Sequence, residues 1–449
     1  MLWLGATSLA QDPQTQFTHG FELQVTGEIR SRFETLDGQF RLGRAGGDQV
    51  LLFRTLIHPS LTFGPLSIGL EVQDSRAYLD DRGTPLSSSF VNPVDYLQLY
   101  AAMEFASPGE DHFRSRLILG RQTISIGSKR QIERVSYANV IRSYTGAYWS
   151  SIWDRGDEFH AFAVVPVGRR PFEFSSLEAN EIVADDEQWN RLVWGLHYRR
   201  ADAIPKWLPG LWIEGFVYGL QESDSVRSPT PNRDYVTPGI RLYRAPANGE
   251  FDFDVEGALR FGSRRATSLP NDTTDLRVFS SMLYAVAGYT FDHPWKPRIA
   301  AQYYWASGDK TPSDGQYDQY ERLFGGRRTD LGNTSIFGPL TPANLSAPGL
   351  RFELRPSEAL SARLTYSAAF LASDTDSWVI ARLRDPSGNS GSFLGHVFDS
   401  RVVKEFPSYS LELELGASAM LHGEFSDHAP LSPAPGTTWF AYSSLTFDF

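Results

Sequence analysis

The chain has 449 residues, a formal net charge of −11, 13% aromatic residues and no cysteine. The lack of cysteine excludes disulfides, thiol nucleophiles and cysteine-bound zinc, and the negative charge argues against nucleic acid as a partner. No segment approaches the ~18 consecutive apolar residues of a membrane-spanning helix, so a helical membrane protein is also excluded.

The first ten residues include a short apolar run, which is followed by the small residues Ser8 and Ala10 before the polar Gln11. This spacing of small residues is typical of a signal-peptidase site, although the basic start of a signal peptide is missing. We therefore predict that residues 1–10 are a signal-peptide remnant and that residues 11–449 form one domain. An irregular N-terminus of a cytoplasmic protein is the alternative.

From Phe21 to Glu34, apolar residues alternate with polar and charged ones. The same period of two returns along the chain, which indicates strands with two different faces. Each segment has about the length, ~9–11 residues, that crosses a bilayer as a tilted strand. The further segments are 66–73, 115–122, 251–262, 350–355, 360–370 and 410–421.

The connections between these segments are of two kinds. Some are short, such as 293–297 and 355–359, and others are long, such as 223–235 and 306–349. Short turns on one rim and long loops on the other are typical of outer-membrane barrels. Aromatic residues near strand ends, as in 301–308, fit the girdles that such barrels place at the membrane interfaces.

The segment 437–449 also alternates and ends on the aromatic Phe449. An exposed apolar strand edge promotes aggregation, whereas a closed barrel has no free edge. We therefore predict an all-β fold: a single transmembrane antiparallel β-barrel of about 18 strands in the bacterial outer membrane, with the last strand beside the one that begins near Phe21. Sixteen strands would also fit the length, and a large soluble propeller or sandwich is the alternative.

In such a barrel, the charged face of each strand lines the lumen. Guanidinium groups match carboxylates and sugar hydroxyls, and rings of arginine select anions in pores. The alternative is that these arginines pair with the lumenal acids across strands. The predicted lumenal cations are Arg30, Arg32, Arg54, Arg116, Arg241, Arg260, Arg298, Arg351, Arg355 and Arg363, and the acids are Glu22, Glu28, Glu71, Asp252, Asp254, Glu256, Glu353, Glu412 and Glu414.

Three segments, 120–131, 303–332 and 396–425, resemble the alginate-export family of bacterial outer-membrane barrels. Their most specific parts are the "ASGD … LFG" and "D-x-R-V … LELG … G-E/D-F" patterns. The resemblance implies a monomeric barrel of eighteen strands that carries an exopolysaccharide outward. It also implies a pore narrowed by long loops and lined by arginines with a few acids.

The resemblance adds candidate residues to those assigned by strand alternation. It places Arg121, Arg327, Arg328, Asp399 and Arg401 at the constriction. The predicted substrate pathway then comprises Arg30, Arg54, Arg121, Arg241, Arg298, Arg327, Arg328, Arg351, Arg363, Asp399 and Arg401.

The sequence thus favours an outer-membrane channel that exports an anionic, alginate-like polysaccharide. Its expected partners are that polysaccharide or an oligosaccharide, outer-membrane lipid and periplasmic secretion proteins, with no nucleic acid and no second copy. An uptake porin for small anions or oligosaccharides is the alternative. A barrel hydrolase would need a clustered triad or paired acids, and the nine histidines show no catalytic or metal-binding spacing, so we expect no enzyme, cofactor or metal.

Overall fold

The alternating segments pair into a closed antiparallel barrel of 18 strands. The structure is a computed structural model that describes residues 20–449, except 82, 108–111, 225–228 and 270. The predicted signal-peptide remnant, residues 1–10, lies outside the described residues, as does the predicted start of the domain at residue 11. The predicted fold class and strand number are confirmed.

We number the barrel strands in chain order, and each pairs with the strands before and after it. They are β1 Phe21–Asp37, β2 Asp48–Phe63, β3 Leu66–Tyr78, β4 Asn92–Ala106, β5 Phe113–Gln122, β6 Tyr144–Trp153, β7 Glu158–Gly168, β8 Arg191–Arg200, β9 Leu211–Glu222, β10 Asp234–Arg244, β11 Glu250–Arg265, β12 Asp275–Thr290, β13 Arg298–Ala306, β14 Leu345–Ser357, β15 Leu360–Phe370, β16 Phe393–Phe406, β17 Leu411–His422 and β18 Thr437–Asp448.

Other elements are short and lie in the connections. They are α1 Phe174–Glu178, α2 Arg328–Leu331, α3 Glu424–His428, the 3-10 turn Pro407–Tyr409, and the two-residue strands Asp186–Glu187, Gln316–Tyr317, Ser377–Trp378 and Leu383–Arg384. Within the part of the chain that the structure describes, no helix has the length and apolar character needed to cross a membrane.

The strands show why the alternation produces a barrel. In β1, Arg30, Arg32 and Glu34 are buried on the inner face, whereas Ile29 and Phe33 are exposed on the outer face. With no water in the bilayer core, every backbone polar group of the wall must find a partner within the sheet, and closure provides one for each strand. The apolar outer face is then covered by lipid and the charged inner face lines the lumen.

The two rims of the barrel differ. On one rim the connections are short, for example 64–65 and 358–359, and we call it the turn rim. On the other rim they are long and include 123–143, 169–190 and 307–344; we call it the loop rim. This asymmetry matches the short and long connections predicted from the sequence.

The barrel closes between β1 and β18, as predicted. The two strands are antiparallel, with Ile29 opposite Phe447. Beyond this register, the amide of Gly27 donates to the carbonyl of Phe449 over 2.8 Å, and the amide of Phe449 donates back over 3.1 Å. The Phe449 ring fills the space above Gly27, because a Cβ built on Gly27 would lie 2.3 Å from that ring. Glycine is therefore required at position 27 for Phe449 to pack there.

Deleting Phe449 should impair closure of the barrel. The deletion removes both hydrogen bonds to Gly27 and the ring that covers it, and two hydrogen bonds contribute about 2 kcal/mol to stability. We expect the amount of folded protein in the outer membrane to fall, measured by the mobility shift that heating causes in electrophoresis. Phe449→Tyr is the control and should fold normally. Wild-type levels of the deletion variant would contradict the prediction.

Candidate transport pathway

Two long loops fold into the barrel and join each other. They connect β5 to β6 (123–143) and β13 to β14 (307–344), and we call them the lumenal loops. The amide of Phe324 donates to the carbonyl of Gln131 over 2.8 Å, and that of Gly326 donates to the carbonyl of Lys129 over 3.0 Å. Ile132 and Phe324 form a parallel β-bridge. The two loops thus form a short ladder inside the barrel and narrow its lumen.

Arg130 anchors this ladder to the wall and to the second loop. Its guanidinium lies 2.8 Å from carboxylate oxygens of Asp254 and Glu256 on β11, and also 2.8 Å from Asp330 on the other lumenal loop. Burial alone would lower the pKa of Arg130, but the three carboxylates raise it well above its ordinary value. The Arg130 side chain is therefore always charged, and it connects both lumenal loops to β11.

A second anchor is built around the ring of Tyr137 in loop 123–143. The guanidinium carbon of Arg328, from the other lumenal loop, lies 3.5 Å from the centre of this ring, and that of Arg32 on β1 lies 4.2 Å from it. Arg328 also pairs with Glu414 and donates to the hydroxyl of Tyr442 over 2.7 Å. Cation–π contacts of this kind strengthen when they are removed from water, so Tyr137 fixes both loops to β1, β17 and β18.

Arg30 and Arg54 hold the remainder of loop 123–143. They lie directly opposite each other on β1 and β2. Both donate to the carbonyl of Ala138, over 3.0 Å from Arg30 and 2.6 Å from Arg54. Arg54 also forms an ion pair of 2.6 Å with Glu28. These two arginines are thus occupied by the loop and by one acid.

Arg241 and Arg298 are paired across strands with acids. Arg241 lies 2.7 Å from Asp254 and 3.0 Å from Glu214. Arg298 lies 2.5 Å from Asp252 and 2.6 Å from Glu353. These pairs match the alternative considered for the sequence, in which lumenal arginines neutralise lumenal acids.

Arg351, Arg363 and Arg401 form a group of neighbours in which, as for Arg30, no arginine has an acidic partner within ion-pair distance among the described residues. They lie on the adjacent strands β14, β15 and β16, and Arg363 is directly opposite Arg401. Arg351 and Arg363 each donate to the carbonyl of Thr329, at the start of α2, over 3.1 Å. Their Nε atoms are buried without a partner. We call these three residues the lower arginine cluster, since they lie on the turn-rim side of the lumenal loops.

A family model described as alginate export matches residues 21–435. The match covers nearly all of the chain. The chain belongs to the alginate export family. Its family and its barrel fold place this protein in the bacterial outer membrane.

Solved porin structures share the fold of this alginate export family member. A BenF-like porin from Pseudomonas fluorescens Pf-5 aligns with a TM-score of 0.60 and 11% identity, over 95% of this chain and 98% of the porin. Pseudomonas aeruginosa OccK2 (OpdF), solved in complex with glucuronate, aligns with a TM-score of 0.57 and 11% identity, over 95% and 96%. P. aeruginosa OccK11 (OpdR) gives 0.55 and 13%, over 95% and 96%. At these identities the similarity shows the fold alone. No curated protein sequence matches the chain.

The fold and family are those of an outer-membrane channel, which is not a class of enzyme. In the described part of the barrel, no three histidine, aspartate or glutamate side chains are arranged to hold a metal ion.

Two of the predicted constriction residues are in other surroundings in this alginate export family member. Arg121 shares its strand face with the outward-facing Leu99, its register partner on β4. It is covered by the ring of Tyr96 and by Glu187 of loop 169–190, 2.8 Å away, so the structure does not bring it together with the lower arginine cluster. Arg327 turns into its own loop and donates to the carbonyl of Gly338 over 2.8 Å.

Asp399 does lie at the inner end of a lumenal loop. It accepts hydrogen bonds from the amide of Asn333 over 2.6 Å and from the hydroxyl of Ser418 over 3.0 Å. Asp399 therefore fixes the inner end of this loop to the wall. The predicted roles of these residues in transport remain predictions.

Strand alternation could not find Arg130 and Tyr137, which are the main anchors of the lumenal loops. Both lie in loop 123–143, where no period of two assigns a direction to a side chain. The sequence signal that could have indicated them is the concentration of arginines in 129–142, which favours a loop that contacts acids inside the barrel.

Proposed function

We propose that this member of the alginate export family is a channel through which an anionic polysaccharide, alginate-like in its carboxylated sugars, leaves the cell. Transport would proceed by diffusion through the lumen, without a covalent step or a cofactor. The observation that carries the proposal is the lower arginine cluster, in which Arg363 faces Arg401 with no acid between them. Family membership supports the direction of transport.

The cluster has a physical reason to bind anions. Like charges directly opposite each other on neighbouring strands destabilise a sheet. An anion that passes close to Arg363 and Arg401 would relieve this repulsion. A guanidinium fork matches the two oxygens of a carboxylate, so a chain of uronates could move from one arginine to the next.

The remaining lumenal arginines support the proposal in another way. Arg54, Arg130, Arg241 and Arg298 are each paired with one or more acids. A preference for anions would therefore have to come from the arginines without an acidic partner and not from the overall charge of −11. Acids on the rims that lie farther away than the Debye length of ~8 Å contribute little to this field.

An uptake porin for small anions or oligosaccharides is the second candidate. The observation that favours it is the ladder between the lumenal loops, which narrows the path and is held by Arg130 and Tyr137. OccK2, one of the porins of similar fold, was crystallised with a monomeric uronate. A fixed narrow lumen suits single sugars, whereas a polymer must pass as an extended chain.

Reconstituted single channels test the proposal. We expect wild-type channels in planar bilayers to pass chloride in preference to potassium and to be blocked by polyuronate chains. Vesicles that contain the channel should also release a trapped, labelled polyuronate. Monomeric uronate passing while polyuronate neither blocks nor passes would support the uptake porin instead. A cation-selective channel that does not respond to polyuronate would refute export of an anionic polysaccharide and favour the uptake porin. Neutral dextran of equal length is the control polymer.

We further propose that the channel acts as a monomer and receives its cargo from periplasmic secretion proteins at the turn rim. Cross-linking in native outer membranes would test the first point, because a stable oligomer would appear as a larger species.

A further inference from the structure

Three arginines from three different loops lie together on the loop-rim side of the ladder. Arg142 belongs to loop 123–143, Arg169 to loop 169–190 and Arg322 to loop 307–344. We call them the upper arginine cluster. None of them was among the residues predicted from the sequence, because none lies on an alternating strand.

Backbone contacts hold the three side chains over one small patch. Arg142 donates to the carbonyl of Phe324 over 2.7 Å, and Arg322 donates to the next carbonyl, that of Gly325, over 2.9 Å. Arg169 donates to the carbonyl of Val140, two residues before Arg142, over 3.2 Å. Each guanidinium uses one or two of its five N–H groups in these bonds and keeps others available.

The patch itself is rigid. A Cβ on Gly325 would lie 1.7 Å from the carbonyl oxygen of Arg130, so the loops are in direct backbone contact there. The ring of Phe324 packs edge-on against the buried Tyr144, with 5.6 Å between ring centres. The upper arginine cluster thus lies on a preorganised surface, which lowers the entropic cost of binding a ligand.

The cluster is not neutralised by acids. In the described part of the chain, none of the three arginines has a carboxylate within ion-pair distance, and all three keep part of their surface exposed. Burial and the neighbouring Arg142 lower the pKa of Arg169 and of Arg322 to about 10, so both side chains stay charged at neutral pH. The acids in this region are Glu133 and Asp185. Burial raises the pKa of Glu133, and burial together with Asp95 raises the pKa of Asp185 to about 7. Asp185 therefore carries only part of a negative charge at neutral pH.

We propose that Arg142, Arg169 and Arg322 form an anion-binding site at the outer mouth of the channel, and that it takes the carboxylate of an acidic sugar. The site is separated from the lower arginine cluster by the ladder of the lumenal loops. An anionic chain would then be held on both sides of the narrowest part of its path. The choice of a carboxylated sugar rests on the proposed function, whereas the presence of an anion site rests on the geometry alone.

Side-specific block of single channels tests this site. The probe is galacturonate, added separately from the loop side and from the turn side, with inorganic phosphate as a second probe. The variants are Arg142→Gln, Arg169→Gln and Arg322→Gln. Each should weaken block from the loop side by at least about fivefold, since two unit charges interact with about 1 kcal/mol even at the dielectric constant of water. Block from the turn side should change little.

Two controls keep the test decisive if a variant disturbs the loops. Arg142→Lys retains the charge and should retain block within about twofold of the wild type. Arg384→Gln removes an exposed arginine of another long loop and should have no effect. Loop-side block that is unchanged in all three glutamine variants would overturn the site. Block by phosphate but not by galacturonate would overturn the carboxylate assignment.

The same recordings separate this inference from the proposed function. If the wild-type channel is anion-selective and polyuronate blocks it, but the three variants behave as the wild type does, only the upper site is refuted. If the upper variants lose galacturonate block while polyuronate has no effect on the wild type, the site stands and polysaccharide transport fails.

Discussion

Replacing Arg130 by methionine should free the lumenal loops and raise the conductance of the channel. The substitution leaves Glu256 and Asp330 buried without their counter-charge, and Asp254 with Arg241 alone. Breaking a buried ion pair by removing one partner costs about 3–5 kcal/mol. A penalty of this size matches or exceeds what the ladder gains from its three backbone hydrogen bonds at about 1 kcal/mol each. The loops are then held mainly by the second anchor around Tyr137. The loops should therefore leave the lumen for part of the time.

Single-channel recording measures this directly, as a larger open level and frequent switching between levels. The control is Lys296→Met, which removes an exposed ion pair of 3.0 Å with Glu358 at the turn rim. Exposed pairs contribute about 0–1 kcal/mol, so this variant should conduct as the wild type does. If Arg130→Met folded and kept the wild-type conductance, the loops would not be held by this network.

The double substitution Arg363→Gln and Arg401→Gln should remove most of the preference for anions. Two unit charges 4 Å apart interact with about 1 kcal/mol even at the dielectric constant of water, so each lost arginine should weaken polyuronate block at least about fivefold. The two losses together should weaken it by a factor of about 25. The measurement is the reversal potential in a salt gradient, together with the blocking concentration of polyuronate.

Stability provides an independent readout for the same variant. Because Arg363 and Arg401 repel each other across β15 and β16, their removal should leave the temperature of unfolding unchanged or raise it. Arg384→Gln, which removes an exposed arginine of the loop between β15 and β16, is the matched control and should affect neither selectivity nor stability. A double variant that unfolds at a clearly lower temperature would show that the two arginines are structural.

Strand alternation predicted the wall of this barrel well because the membrane imposes it. Each residue of β1 must face either lipid or lumen. The alternation of side chains along the strand is therefore enough to assign Arg30 to the lumen and Phe33 to the lipid. The closure of β18 on β1 followed from the same constraint, since a free edge cannot be satisfied in lipid. The strand number, by contrast, was only bounded by the length, and the family resemblance favoured eighteen.

The interior was less predictable, because parity says which side chains enter the lumen but not what they meet there. Arg30 and Arg351 both point inward. Arg30 nevertheless donates to the carbonyls of Ser136 and Ala138 in loop 123–143, whereas Arg351 donates to Gln302 on the wall and to Thr329 of the other lumenal loop. The difference depends on how the two lumenal loops fold, and those loops carry no periodic pattern. The family resemblance was also limited as a guide to the interior. It assigned Arg121 to the constriction, but the strand face of Arg121 and its contact with loop 169–190 place it outside the lower arginine cluster.

The ladder between the lumenal loops also bears on the order in which the protein assembles. Arg130 and Asp330 are separated by 200 positions in the chain, and contacts between such distant residues form slowly because a long loop must first be closed. The wall itself pairs mainly between neighbours in sequence, apart from the seam between β1 and β18. We therefore expect the strands of the wall to pair before the lumenal loops fold inside the barrel. A newly inserted barrel would pass through a stage with an open lumen, and permeability during biogenesis would exceed that of the mature channel.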